Sequence, residues 1–136
     1  MRRMPLAVRT AWCVTAICGG GWALAGEEGW KAPAAEQAAR NPVPRKAAMR
    51  AGKKTFELNC IPCHGPAGRG DGPAAAAMTP EPKNLIAGYV QEQTDGELFW
   101  KITTGRGSMP SWRQLPEKER WSLIHYIRSL ARAKTQ

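Results

Sequence analysis

The stretch Asn59–Gly65, NCIPCHG, carries two cysteines three positions apart and a histidine directly after the second. Two thiols and an imidazole at this spacing suit three kinds of chemistry. They could ligate a zinc ion, form a redox-active dithiol pair, or anchor a cofactor covalently through sulfur. The rest of the chain has to discriminate among the three.

The other residues favour the covalent anchor. A structural zinc site takes four N or S ligands, and beyond residue 25 the only other His or Cys is His125, which stands among apolar neighbours and is expected to pack rather than to ligate. A thioredoxin-like pair follows a strand, and no segment alternates long enough to build a sheet. C-x-x-C-H is the arrangement of covalent haem attachment. We therefore predict one haem c, bound through Cys60 and Cys63, with His64 as an axial iron ligand.

The segment 45–59 precedes this motif and has the pattern of a helix. Ala48, Gly52 and Phe56 recur every four residues, which places them on one helical face with Cys60 next in the series. A glycine in the middle of a helix costs about 1 kcal/mol relative to alanine. Gly52 therefore indicates that another backbone or ring passes close to this helix.

Two further helices follow a long loop. Thr94 and Glu97 form a capping box before a short helix over 95–103, and a third helix with a broad apolar stripe begins at Pro116. The loop, residues 65–93, is rich in Gly and Pro, and a structureless loop of that length is uncommon in a compact domain. Three helices also give a small chain a thin core. Both difficulties disappear if the loops enclose a large, flat, apolar cofactor.

Three motifs occur in order along the chain: Gly52-x-x-x-Phe56-x-x-x-Cys60-x-x-Cys63-His64-Gly65, Gly105-Arg106-Gly107-Ser108-Met109-Pro110, and Leu123-Ile124-x-Tyr126-Ile127. With them, residues 45–133 resemble a class I, single-haem cytochrome c. The resemblance implies an all-α cytochrome c fold, with three main helices and long loops wrapped around one covalently bound haem. It also implies that the first and last helices cross at Gly52, where Phe56 packs on Tyr126.

Two methionines beyond the motif are candidates for the sixth iron ligand. Met109 stands in a Gly-, Ser- and Pro-containing loop between the second and third helices, and the resemblance places the axial methionine there. Met78 follows four alanines and is expected to pack against the haem edge. We predict His64 and Met109 as the metal ligands. A thioether ligand raises the reduction potential, and an iron with both axial positions filled transfers electrons rather than binding substrates.

The resemblance suggests further residues around the haem. Pro73, in the stretch GDGP, is expected to supply the carbonyl that accepts a hydrogen bond from the imidazole of His64, which fixes its tautomer and orientation. Tyr89, Arg106 and Trp112 are candidates for contacts near the haem propionates. For each of the three, ordinary surface or core packing is the alternative.

The chain is basic, with a formal net charge of +9 at pH 7. No segment resembles a nucleic-acid-binding module. Lys83, Lys101, Arg106 and Arg113 lie in segments expected to rim the haem, where positive charge would steer docking onto an acidic patch of a redox partner. The alternative is a solvated basic surface without a docking role.

The N-terminus has the pattern of a secretory signal peptide. Three arginines precede an apolar run of about 15 residues that ends on Ala23-Leu24-Ala25, shorter than the ~20 apolar residues of a membrane-spanning helix. We predict the following organisation: signal peptide 1–25, flexible leader 26–44, cytochrome c domain 45–133 and C-terminal tail 134–136. Cleavage would export the protein to the periplasm without a membrane span, and an uncleaved N-terminus that tethers it to the membrane is the alternative.

These features together predict an electron-transfer protein rather than an enzyme. It would carry single electrons between redox partners in a respiratory or dehydrogenase chain, as a monomer or as a subunit of a complex. One alternative is the haem subunit of a larger oxidoreductase. The other is a haem enzyme or gas sensor with an open iron position.

Overall fold

The computed structural model describes residues 29–133, so the predicted signal peptide (1–25) and C-terminal tail (134–136) lie outside the described residues. In that range the chain forms helices joined by loops and contains no β-strand, which confirms the predicted all-α class. The α-helices are α1 Ala34–Gln37, α2 Arg45–Asn59, α3 Ile61–His64, α4 Gly88–Gln91, α5 Asp95–Thr104 and α6 Glu117–Ala133, with a 3-10 helix at Ala75–Ala77.

The three predicted main helices correspond to α2, α5 and α6, and the sequence signals at their ends are present in the structure. The hydroxyl oxygen of Thr94 accepts a hydrogen bond from the backbone N–H of Glu97 at 3.1 Å, which caps α5. α6 begins directly after Pro116. None of the helices within residues 29–133 is long and apolar enough to cross a membrane.

Helices α2 and α6 cross in close contact, as the resemblance implied. A Cβ atom at Gly52 would overlap the backbone carbonyl of Ser122 on α6, so only glycine allows this approach. One turn further along α2, the ring of Phe56 packs on the ring of Tyr126, with centroids 5.3 Å apart and planes tilted by 57°. Phe56 is fully buried at this crossing. The crossing fixes the end of α2, from which the cysteine motif continues.

The core extends from this crossing to α5. The rings of Phe99 on α5 and Trp121 on α6 stack with centroids 4.0 Å apart. Leu98 and Ile102 are buried on the same helix, and Leu123, Ile124 and Ile127 are buried on α6. Large apolar side chains from both helices therefore point toward the space beside α3.

Residues 29–44, here called the N-terminal strap, pack on the domain, so the prediction of a flexible leader is wrong for this part of the chain. Ala32 and Val43 are buried. The side-chain amide of Asn41 donates to the carbonyl of Trp121 at 2.9 Å, and Nε2 of His125 donates to the carbonyl of Val43 at 2.7 Å. The strap is thus fastened to α6. These contacts also confirm that His125 is a packing residue.

Candidate functional site

A cavity of about 710 Å³ lies between α3, the loop that follows it, and helices α5 and α6. Its volume is in the range of cofactor-binding cavities. The four residues on which the haem prediction depends all line it: Cys60, Cys63, His64 and Met109. Its apolar wall comes from Leu85, Val90, Leu98, Ile102, Trp112, Leu123 and Ile127.

Local helical geometry positions the two thiols and the imidazole. The backbone N–H of Cys60 still bonds to Phe56 at the end of α2, and the N–H of His64 bonds to the carbonyl of Cys60, both at 2.8 Å. Residues three and four apart lie on one face of a helical turn. Cys60, Cys63 and His64 are therefore presented to the cavity together, each half-buried.

The imidazole of His64 is oriented by a backbone carbonyl. Its Nδ1 lies 3.0 Å from the carbonyl oxygen of Lys83. Because a carbonyl oxygen only accepts, Nδ1 carries the proton and Nε2 keeps its lone pair for a metal. Burial lowers the pKa of His64, with the hydrogen bond to Lys83 opposing, so the imidazole is held in the neutral form that ligates iron.

The carbonyl partner of His64 corrects the prediction of Pro73. The residues on either side of Pro73 are bound to the backbone of the motif, since the N–H of Gly72 donates to Cys63 and the N–H of Ala74 donates to Pro62. The chain at Pro73 therefore runs alongside the backbone of α3. The segment that passes the imidazole ring comes ten residues later, at Lys83.

The surroundings of the thiols do not suit disulfide exchange. Burial, and secondarily the neighbouring Cys63, raises the pKa of the Cys60 thiol to about 12. The thiolate is the nucleophile in thiol–disulfide exchange, and catalytic pairs depress this pKa. Among residues 29–133 no group of three or more His, Cys, Asp or Glu side chains has the arrangement of a metal site.

Both candidate methionines reach the cavity. Met109 lies in a tight turn, in which the backbone groups of Arg106 and Met109 exchange hydrogen bonds of 2.9 and 3.0 Å. Met78 also lines the cavity, and the hydroxyl of Ser108 donates to the carbonyl of Thr79 at 3.0 Å, which joins the two methionine loops. The assignment of Met109 over Met78 stays a prediction.

Two of the three residues suggested to lie near the haem propionates line the cavity, and the third does not. Arg106 and Trp112 line the cavity, whereas Tyr89 does not and is 47% exposed. α4 is a single turn that directs Val90 into the core, so the preceding residue faces solvent. The structure therefore gives Tyr89 no contact with the cavity lining, and its suggested role near the haem propionates stays a prediction.

Lys101 also departs from its prediction as a surface cation. It is only 7% exposed and lines the cavity. Its ammonium lies 3.0 Å from Oε1 of Glu97 and 2.8 Å from Oε1 of Gln93. The exposed cations of the predicted rim are then Lys83, Arg106 and Arg113.

Trp30 is a large cavity residue that the sequence analysis did not identify. It belongs to the N-terminal strap and lines the cavity. The Nζ atom of Lys101 and the Cζ atom of Arg106 lie over its ring, 5.3 and 5.8 Å from the centroid. The one available signal is a large aromatic residue within a segment that is otherwise small and polar.

The residues present fit a haem. Two thiols and an imidazole whose Nδ1 is held by the carbonyl of Lys83 line the cavity together, a thioether is available in a separate loop, and much of the wall is apolar. Imidazole nitrogen and thioether sulfur are the axial donors of electron-transfer haems. The polar and charged side chains of the lining, apart from His64 and the cysteines, are Asn59, Glu81, Lys83, Gln93, Lys101, Arg106 and Ser108.

Comparisons with known proteins agree with this fit. Residues 47–127 match the family model for cytochrome c oxidase, cbb3-type, subunit III. A solved chain of the Kuenenia stuttgartiensis reducing HAO-like protein complex is similar, with a TM-score of 0.55 and 31% sequence identity. The similarity covers 68% of this chain and 49% of that chain, so the present chain matches about half of the solved one. No curated protein matches the sequence.

Proposed function

The chain belongs to the c-type cytochromes, in the family of the cbb3-type subunit III domain, and binds haem c; on this basis we propose that it carries single electrons between redox proteins. The proposal assigns one haem to the chain, attached through Cys60 and Cys63. It assigns the axial positions to His64 and Met109. The observation that carries it is the convergence of these four residues on one apolar cavity.

The protein residues prepare the site before any electron arrives. The carbonyl of Lys83 holds Nδ1 of His64, so Nε2 is already directed as the iron-binding atom. Met109 is held in a turn closed by two backbone hydrogen bonds. When bound, the haem supplies one-electron chemistry by cycling between two iron oxidation states. Ligands that are fixed in advance need little rearrangement between these states, which favours rapid transfer.

The apolar wall of the cavity is expected to raise the reduction potential of the haem. Leu98, Ile102 and Leu123 exclude water from the cavity and disfavour the more highly charged oxidised site. The thioether of Met109 acts in the same direction, because it is a weak donor. We therefore expect a fairly oxidising electron carrier.

Export and partner docking are part of the proposal. The predicted signal peptide would place the protein in the periplasm, where it would meet redox partners with acidic surfaces. Lys83, Arg106 and Arg113 support the docking proposal, because they are exposed and the first two also line the mouth of the cavity. Such a positive rim accelerates association with an acidic partner and loses this effect at high ionic strength.

A second candidate is a haem subunit that stays bound to a larger oxidoreductase. The similarity to a chain of a solved protein complex favours it. So does Leu58, which is 68% exposed at the end of α2, two residues before Cys60. Purification of the tagged protein from its native host, followed by size-exclusion chromatography, separates the two: a free carrier elutes alone, and a subunit elutes with stoichiometric partners.

The central test is the visible spectrum of protein made in a host that attaches haem c. We expect a covalently bound haem that survives denaturation, and a weak red absorption band of iron–methionine bonding in the oxidised state. A reduced protein that binds carbon monoxide at neutral pH would support an enzyme or gas sensor instead. Fully folded, colourless protein would overturn the proposal.

A further inference from the structure

We propose that the N-terminal strap is part of the haem enclosure and that Trp30 is a positioning residue, which closes the cavity and holds Lys101 and Arg106 beside it. This inference rests on the proposed function, because it concerns the environment of the same haem. It makes the strap a determinant of the reduction potential rather than a passive leader.

The contacts of Trp30 place it at the centre of this arrangement. The indole lines the cavity, and two cations lie over its ring, Nζ of Lys101 at 5.3 Å and Cζ of Arg106 at 5.8 Å from the centroid. Cation–π contacts of this kind are strongest with tryptophan and strengthen when the cation is shielded from water. Lys101 is shielded, with 7% of its surface exposed.

The strap has no freedom to leave this position without breaking buried contacts. Ala32, two residues after Trp30, is buried, and a hydrogen bond of 2.6 Å from the amide of Gln37 to its carbonyl fixes the conformation within the strap itself. Further along, the carbonyl of Glu36 lies so close to Gly96 on α5 that a Cβ atom there would overlap it. Trp30 is thus fixed at the end of a segment that is packed against α5.

The strap lies outside the part of the chain that matches the family model, residues 47–127. Its contribution to the cavity therefore follows from the geometry of this chain. Without the indole, the buried Lys101 would lose the ring over which its ammonium lies, and the exposed Arg106 would lose the contact that holds it beside the cavity.

Two physical effects give Trp30 a predictable influence on the potential. The site gains a negative charge when it is reduced, so nearby cations stabilise the reduced state. The indole also displaces water, which would otherwise solvate the more positive oxidised state. Both effects raise the potential. The charge of Lys101 is largely balanced by Glu97, so Arg106 carries the greater share of the first effect.

The experiment compares the potentials of holoprotein variants by spectroelectrochemistry. In Trp30→Ala we expect the reduced-to-oxidised ratio, at the wild-type midpoint potential, to fall by about threefold or more. Trp30→Phe keeps an aromatic ring and an apolar plug and should recover most of the loss. Lys31→Ala, in the exposed neighbouring position, should match wild type.

A double-variant comparison tests the positioning of the cation. In an Arg106→Gln background, Trp30→Ala should shift the ratio by less than it does alone, because the cation that it positions is already gone. Fully additive shifts would overturn the positioning role. If Trp30→Ala does not yield holoprotein, Trp30→Leu replaces it, with the same expected direction.

The outcomes separate this inference from the proposed function. A lowered melting temperature with an unchanged potential in the Trp30 variants would make Trp30 a purely structural residue and overturn the inference. Wild-type protein without covalent haem or without a reversible one-electron couple would instead refute the proposed function.

Discussion

Nδ1 of His64 lies 3.0 Å from the carbonyl oxygen of Lys83, nineteen residues along the chain. This bond joins the cysteine motif to the second half of the long Gly- and Pro-rich loop. The hydrogen bond holds the loop beside His64. It also fixes the tautomer of the His64 imidazole.

The acid stability of the ligation follows from this environment. The pKa of His64 is lowered from 6.5, mainly by burial, so the folded protein takes up the proton at a lower pH than the unfolded chain does. The associated stability is full above pH 6.5 and is lost only as the pH falls toward the lowered value. Ligation of iron by His64 competes with protonation, so it moves this loss of stability to still lower pH. We expect the visible spectrum to stay constant through pH 6.5 and to change only in more acidic solution, and a transition centred at 6.5 would contradict this.

Gly52→Ala should destabilise the protein although alanine is the better helix former. The new methyl group would meet the carbonyl of Ser122, and α2 and α6 would have to separate. Overpacking of this kind costs about 1–3 kcal/mol, which exceeds the ~1 kcal/mol gained in helix propensity. Thermal unfolding followed by circular dichroism measures the effect. Lys54→Ala, at an exposed position of the same helix, is the control and should leave the melting temperature nearly unchanged.

Replacing Cys60 and Cys63 with serine should remove the covalent haem and most of the folded structure. The chain surrounds a cavity of about 710 Å³ with a largely apolar wall, and such a cavity is costly to leave without its cofactor. Absorption spectra of the denatured protein and circular dichroism of the native protein measure the two effects. A variant that lacks haem and still unfolds cooperatively at the wild-type temperature would refute the argument that haem completes the core.

Local signals in the sequence predicted the parts of this fold that depend on neighbouring residues. The cap at Thr94 and the close approach at Gly52 are of this kind. The strap could not be predicted in the same way. Its attachment depends on hydrogen bonds of Asn41 and Val43 with residues of α6 about 80 positions away. No local sequence pattern predicts contacts over such a distance.

The residues of the candidate site likewise fall into those that the sequence predicted and those that it did not. Residue type and spacing identified the thiols and the imidazole, because the chemistry requires those atoms. The choice of Met109 over Met78 came from the resemblance and stays a prediction. Any residue can offer a backbone carbonyl, so residue type gave no basis for choosing Lys83 over Pro73. The burial of Lys101 depends on Trp30 from the strap and on Gln93 from the preceding loop, in addition to its i,i+4 partner Glu97.

The exposed cations of the predicted haem rim should govern the rate of encounter with anionic oxidants. Reversing Lys83 and Arg113 to glutamate should slow oxidation by ferricyanide several-fold at low ionic strength, since steering by a charged rim changes association rates by about 10-fold or more. The difference should disappear in high salt. Stopped-flow measurement of haem oxidation gives the rates. The control is Lys46→Glu with Lys54→Glu, which makes an equal charge change on α2 outside the cavity lining. If this control slowed oxidation equally, the net charge of the protein, and not the position of the cations, would explain the effect.

The axial assignment is tested by comparing the two methionines that line the cavity. Met109→Ala should abolish the weak red absorption band, lower the potential, and open the iron to carbon monoxide or imidazole, because no thioether then opposes His64. Met78→Ala should keep the band and change the potential only slightly, since it removes packing at the haem edge. The reverse pattern would transfer the ligand role to Met78.

Ser108→Ala provides a finer test of the same assignment. Its hydroxyl bonds to Thr79 and fastens the loop of Met109 without adding a ligand of its own. Losing one such bond costs about 0.5–1.5 kcal/mol. If Met109 binds the iron, this variant should retain the red band and the wild-type potential to within a small shift, while binding imidazole several-fold more tightly, because imidazole competes with a less firmly held thioether. Unchanged imidazole affinity would mean that the Ser108–Thr79 bond does not support the ligand loop.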